Sequence, residues 1–294
     1  MKERKQPDPN ASLIARVRVF GEQGSKSNQK ISAYILEHHE AAEMTALALS
    51  KEVGVSEATV VRFAKGLGFE GYPELMEALR AANKNRLTSI ERLEIAGARL
   101  GGNTLEATLN AEIRSLKATL EAVDPEAFDH AVRGLLNAEN IYIVGTRSST
   151  ALADYMYFYM TLILDRVHLV QFATGADLYE QLLRIGSKDA LVGITFPRYS
   201  RRTVEAMRYA KKNGAMTIGI TDSEVSPVVK LSDDVLYARN DVTSFVDSLV
   251  APMALINALV SELGQRRKEE TKANLAKLEG LWAENTVYDR GNNG

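Results

Sequence analysis

Apolar positions recur at helical spacing through the first 87 residues, then change to short apolar runs set between helix-length segments. Ile14, Val17, Val19 and Phe20 predict a short helix that breaks at Gly21 to Ser27, and Ile31, Tyr34, Ile35 and His38 predict a second. Two more short helices fit between Thr45 and Tyr72. Leu47, Leu49 and Val53 give the first an apolar stripe, and Ser50 is small enough to let another helix cross closely over it. Gly54 accepts the positive φ of a sharp helix exit, Val55 plugs the corner, and Ser56 suits the N-cap of the following helix. In that helix Val60, Val61 and Ala64 face inward, which leaves Glu57, Ala58, Thr59, Arg62 and Lys65 outside. Pro73 to Leu87 resumes helical periodicity through Leu75, Met76, Leu79 and Leu87.

Arg86 to Leu109 is rich in charged and small residues, with Gly97, Gly101 and Gly102, and reads as a connector with room for partly helical structure. Helices follow around Ala111 to Ala122 and from Asp124 and Pro125. Five apolar strands then alternate with helices: Ile141 to Gly145, Val167 to Phe172, Ala190 to Thr195, Ala215 to Thr221 and Asp234 to Ala238. The intervening helices are Thr150 to Leu164, one capped near Thr174, and Thr203 to Asn213; a long helix from Ser244 to about Lys268 closes the series. Strands separated by helices pair in parallel through right-handed crossovers. The expected fold is an all-helical helix-turn-helix domain over 11–87, a linker over 88–110, a three-layer α/β sandwich with a five-stranded parallel sheet over 111–280, and a loose tail over 281–294.

At 294 residues, 45% hydrophobic and 25% charged, the chain has enough material for two ordinary globular cores. Cys 0 excludes disulfides and thiolate metal sites and fits a reducing cytoplasm. No apolar run suggests a signal peptide or a membrane span, so a soluble cytoplasmic protein with no membrane partner is expected. A net charge of -2 argues against coating nucleic acid by bulk electrostatics. DNA contact therefore has to be local. The two helices between Thr45 and Tyr72 have the make-up of a pair that docks on double-stranded DNA, with Thr45, Ser56, Glu57, Ala58, Thr59, Arg62 and Lys65 as the contact set. Acidic residues interleave with these cations, so a single copy would bind weakly, and a homodimer or homotetramer presenting paired heads is expected.

In an open parallel sheet a ligand binds outside the carboxyl ends of the strands, near the reversal in strand order. That rule selects three loops. The first, Gly145 to Ser149, offers a tight turn at Gly145, a cation at Arg147, and the hydroxyls of Ser148 and Ser149 beside free helix N–H groups, which favour an anion. The second, Thr195 to Thr203, holds Thr195, Arg198, Tyr199 and Ser200, and the third, Thr221 to Pro227, holds Asp222 and Ser223. A small anionic metabolite is the expected effector, with no metal and no cofactor.

The chain resembles the RpiR/MurR family of bacterial transcriptional regulators, which join an N-terminal helix-turn-helix domain to a C-terminal sugar isomerase (SIS) domain. The resemblance rests on VGVSEATVVRFAKGLGFEGYPEL, through Gly54, Val55, Ser56, Thr59, Val60, Arg62, Phe63, Leu67, Gly68, Phe69 and Tyr72. It rests also on IYIVGTRSS and GITDSEVSPVVKLSDDVLY, with Thr221, Ser226, Pro227 and Val235 to Tyr237. It implies a regulator whose operator binding is modulated by a sugar phosphate or other carbohydrate derivative. One stretch departs from the family. Its phosphate loop reads Ser-x-Ser-Gly-x-Thr, whereas this chain has Thr195, Phe196, Pro197, Arg198, Tyr199 and Ser200. Proline removes a backbone donor and Arg198 fills the space of the glycine, so an altered but still anionic ligand is expected, held by Arg147 and Arg198 and by Tyr199.

The rival reading is a sugar-phosphate isomerase with an accessory helical domain. Such chemistry needs a base beside a carbonyl, and candidates are few: His38 and His39 lie in the helical half, His130 precedes the first strand, His168 lies within a strand, and Glu180 follows the second strand. No catalytic residue is assigned. A third reading, a ligand sensor whose helical head binds a protein, stays open at this point.

Overall fold

The computed structural model describes residues 13–84, 89–90, 92–93, 103–172, 177–239 and 246–288. The chain divides into two compact units between Ser89 and Ile90. The first is helical: α1 (Leu13–Glu22), α2 (Lys26–Glu37), a 3-10 turn (His39–Glu43), α3 (Ala46–Val53), α4 (Glu57–Gly66) and α5 (Tyr72–Lys84). Val17, Ile31, Leu49, Val60, Phe63, Leu75 and Leu79 form its core, each at or below 1% exposure. The Phe63 ring meets Phe20 edge-on at 5.3 Å, a favoured aromatic geometry.

Leu47 departs from the expected stripe and is 49% exposed. At about 100° per residue, Leu49 and Val53 share the inner face of α3 with Ser50, while Leu47 lies nearly opposite Leu49. Gly54 ends α3 in the left-handed region (φ 68, ψ 47), with Val55 N donating to the Ser50 carbonyl at 2.9 Å.

The second unit holds α6 (Thr104–Ala122), α7 (Pro125–Asn137), β1 (Ile141–Gly145), a 3-10 turn (Arg147–Ser149), α8 (Thr150–Thr161), β2 (Val167–Val170), α9 (Leu178–Gln181), β3 (Ala190–Ile194), α10 (Arg201–Lys212), β4 (Met216–Thr221), β5 (Asp234–Tyr237), α11 (Val250–Arg266) and α12 (Lys268–Glu284). All strand pairs are parallel, in the order β2-β1-β3-β4-β5. Alternation assigns the faces. Ile141 and Ile143 pack with α7, α8 and α11, whereas Tyr142 and Val144 pack with α9 and α10. Gly193 is where α10 comes closest: a Cβ there would meet the Met207 sulfur at 2.5 Å.

Several boundaries differ from expectation. The cap expected near Thr174 and the helix start expected at Ser244 fall outside the described residues. Asp177 caps α9 through a capping box with Glu180. The long last helix ends at Arg266, close to the expected Lys268, and beyond Arg267 (φ -109, ψ 39) an unexpected further helix, α12, carries Trp282 to Glu284 in helical conformation, past the expected start of the tail. Residues 104–110, placed in the linker from sequence, begin α6. Among the described residues no helix is long and apolar enough to cross a membrane.

Candidate functional site

In the helical unit, Thr45 caps α3 by accepting from Ala48 N at 3.1 Å and Ser56 caps α4 by accepting from Thr59 N at 3.3 Å. Serine and threonine at these places fix where each helix begins, and thus which side chains face outward. Thr45, Ser56, Glu57, Ala58, Arg62 and Lys65 are exposed and Thr59 is half-buried. The Arg62 guanidinium donates to the Thr59 hydroxyl at 3.1 Å, and Thr59 and Ser56 share a hydrogen bond at 2.8 Å. This short chain lays Arg62 along the first turn of α4, beside N–H groups that favour phosphate oxygens.

In the α/β unit the strand order reverses between β1 and β3, and a cleft of about 710 Å³ opens there at their carboxyl ends. Among the described residues, Arg147, Arg198, Arg201 and Arg202 all line it, against one carboxylate, Asp154. Each is placed by its element. Gly145 lets β1 turn directly into the 3-10 turn, since a Cβ would sit 2.5 Å from the Ser149 carbonyl oxygen. Arg147 then takes φ 60, a left-handed conformation that costs a non-glycine residue about 1–3 kcal/mol. Ser200 caps α10 by accepting from Thr203 N at 3.4 Å, so Arg201 and Arg202 sit in the first turn of that helix. Arg202 lies 4.8 Å over the Phe172 ring, which fixes its plane.

Tyr199 lines the cleft but is committed on its other side. Its hydroxyl donates to Asp222 Oδ1 at 2.9 Å and lies 3.5 Å from the Ser223 hydroxyl. Burial, and then the neighbouring Asp222 carboxylate, push this hydroxyl far above the ordinary tyrosine range, so it stays protonated and donating. The Thr221 to Pro227 loop therefore serves the cleft indirectly: Asp222, Ser223 and Ser226 are buried, and Thr221 bonds Ser226 at 2.8 Å.

The sequence-selected effector residues separate into two groups. Gly145, Arg147, Arg198, Tyr199 and Ser200 share the cleft wall. Thr195 is buried and accepts from Ser200 N at 3.1 Å, which braces the loop from behind. Ser149 is buried, and Ser148 turns away to donate to Asp247 Oδ2 at 2.8 Å. Sequence reasoning missed Asp154, Phe172, Arg201 and Arg202. Asp154 had a usable signal, being four residues after Thr150 on the same helix face, and Arg201 and Arg202 follow the Ser200 cap directly.

The isomerase candidates do not gather. Glu180 accepts from Asp177 N at 3.2 Å within its own helix cap, His130 pairs with Asp234 at 2.7 Å, His168 stacks on Tyr142, and His38 stacks on Tyr34.

A helix-turn-helix head followed by a doubly wound α/β unit is the make-up of a regulator of transcription. Residues 12–86 match the helix-turn-helix domain of the rpiR family, and residues 134–262 match the SIS domain. An uncharacterized HTH-type transcriptional regulator of Haemophilus influenzae is 29% identical over 222 residues, covering 74% of this chain and 76% of that protein. The sugar isomerase domain of an RpiR transcription factor from Sphaerobacter thermophilus superposes with a TM-score of 0.57 at 29% identity, covering 60% of this chain and 99% of that one. The NanR protein of Vibrio vulnificus, solved in complex with ManNAc-6P, shares the fold with a TM-score of 0.59 at 22% identity, covering 92% of this chain and 98% of that one. The chain belongs to the rpiR family of helix-turn-helix transcriptional regulators that carry a SIS domain.

Proposed function

We propose that this regulator binds an operator through residues 11–87 and that a small anionic metabolite, a sugar phosphate or related carbohydrate derivative, binds the cleft of residues 111–280 and changes operator occupancy. The observation that carries the ligand class is the ring of four arginines against one carboxylate at the switch point. Arginine forks suit phosphate and carboxylate oxygens, and Asp154 and Ser200 leave acceptors and a donor for sugar hydroxyls. The regulator reading needs no base within the cleft, and Glu180 is occupied in its cap. Steady turnover of a sugar phosphate by the purified protein would favour the isomerase reading instead. The protein acts in the cytoplasm, where its operator and metabolites are.

Genomic-fragment selection with the full chain supplies the operator, and a protein-binding head would enrich no common sequence. On that operator Arg62→Ala is expected to weaken binding by about 1–3 kcal/mol in a fluorescence titration; unchanged affinity removes Arg62 from the contact set. Arg198→Ala is expected to abolish the response to effector while leaving effector-free operator affinity intact. Loss of the oligomer in that variant would assign Arg198 to a subunit contact.

Paired heads require a second copy, and α6 supports one. Leu105, Leu109, Ile113, Leu116 and Leu120 form an exposed apolar stripe along it at spacings of three and four, opposite the small buried residues Ala111, Ser115 and Thr119. Leu109→Glu with Leu116→Glu is expected to give monomers in sedimentation with both units still folded. A double variant that keeps its assembly places the interface elsewhere.

A further inference from the structure

The cleft has two unlike walls. α10, on the Tyr142 and Val144 face of the sheet, brings Arg201 and Arg202, while α8, on the Ile141 and Ile143 face, brings Thr150 and Asp154. Thr150 opens α8 and Asp154 follows four residues later, so both reach the cleft from one side of that helix, about 6 Å apart along its axis. Asp154 is exposed, and among the described residues it belongs to no ion pair, although four guanidiniums line the same cleft. A carboxylate paired with one of them would only trim the positive charge. Standing apart, Asp154 keeps its oxygens for whatever enters, and a carboxylate accepts from hydroxyl and ammonium groups while it repels a second anion.

We propose that Asp154 determines which anions the cleft accepts: it selects a phosphate monoester of a sugar or polyol whose far end carries hydroxyl or amino groups, and rejects one that carries a second anion there. This rests on the reading of the cleft as an anion site. The phosphate lies toward Arg201 and Arg202, where guanidinium forks suit its oxygens, and the rest of the ligand crosses the strand ends toward α8. The group that arrives at Asp154 then meets a carboxylate. A donor there is accepted, and a carboxylate or second phosphate is opposed, so discrimination comes from a repulsive element as well as an attractive one. The two influences have opposite signs. Four arginines without Asp154 would favour the more negatively charged ligand, and Asp154 reverses that order.

Calorimetric titration of the full chain at fixed ionic strength tests this with inorganic phosphate, D-sorbitol 6-phosphate and 6-phospho-D-gluconate. The last two share a carbon skeleton and differ at the end away from the phosphate, a primary alcohol in one and a carboxylate in the other. D-sorbitol 6-phosphate is expected to bind more tightly than 6-phospho-D-gluconate by roughly five- to tenfold, the scale of one close charge contact in a wet cleft. Asp154→Asn, which keeps the size and loses the charge, is expected to reverse that order. Asp165→Asn, the same change at an exposed position outside the cleft lining, is expected to leave it. A parent that prefers 6-phospho-D-gluconate, or prefers neither, overturns the role of Asp154. An Asp154→Asn protein with the parent's preference overturns it too, as does a reversal produced equally by Asp165→Asn. In each of these cases phosphate binding leaves the anion site standing. Binding of none of the probes removes the anion site itself, and the role of Asp154 with it.

Discussion

Phe63→Ala is expected to remove about 3–5 kcal/mol from the helical head, the largest single loss in that unit. Phe63 is 1% exposed, meets Phe20 at 5.3 Å, and sits on the inner face of α4 with Val60 and Ala64, behind the outward face that carries Ala58, Arg62 and Lys65. Truncation leaves a cavity under the helix proposed to read DNA. A small domain holds only about 5–15 kcal/mol in all, so the head should melt far below the α/β unit, at about 4–8 °C per kcal/mol lost. Calorimetry should show one transition moved down and the other unmoved, while operator binding disappears and effector binding persists. A single shared transition moving as one would mean that the two units do not unfold independently.

Gly145→Val is expected to have the second largest effect, now in the other unit. The added Cβ would lie 2.5 Å from the Ser149 carbonyl oxygen and 3.0 Å from the Ala153 Cβ, both part of the chain's own turn and helix, so neither can swing aside like a long side chain. Overpacking of this kind costs about 1–3 kcal/mol, and for a unit of this size the melting shift is about 2–4 °C per kcal/mol. The functional loss should exceed the stability loss. Displacing the turn moves Arg147 relative to Arg198, and anions held by two forks are sensitive to about 1 Å of misplacement. Effector affinity measured by calorimetric titration should fall steeply while operator affinity without effector stays. Retained effector affinity would show that the turn is not part of the site.

The fold was legible because its signals are local. Gly54 and Ser56 state a helix exit and a helix entry in three residues, and β1 and β3 are apolar throughout because both of their faces are covered. Loop ends that feed a parallel sheet converge by geometry, which is why Arg147 and Arg198 line one cleft as the sequence suggests. What stayed hidden depends on side-chain direction and on contacts distant in sequence. Ser148 and Ser149 looked alike beside a helix start, yet one turns to Asp247, 99 residues on, and the other is buried. Thr195 looked like a ligand hydroxyl and instead accepts from the Ser200 backbone. Leu47 looked like core because it is apolar, although its phase on α3 places it outside. The Arg92 to Asp247 pair, 155 residues apart, leaves no trace in any local pattern.

Gly193 reaches further than its size suggests. It lies mid-strand on β3, beneath α10, and the absent side chain is what allows Met207 to rest against the sheet. The height of α10 above the sheet therefore sets how deep Arg201 and Arg202 stand in the cleft. A side chain at Gly193 is therefore expected to lift α10 from the sheet and shift Arg201 and Arg202 while every residue of the cleft wall keeps its identity.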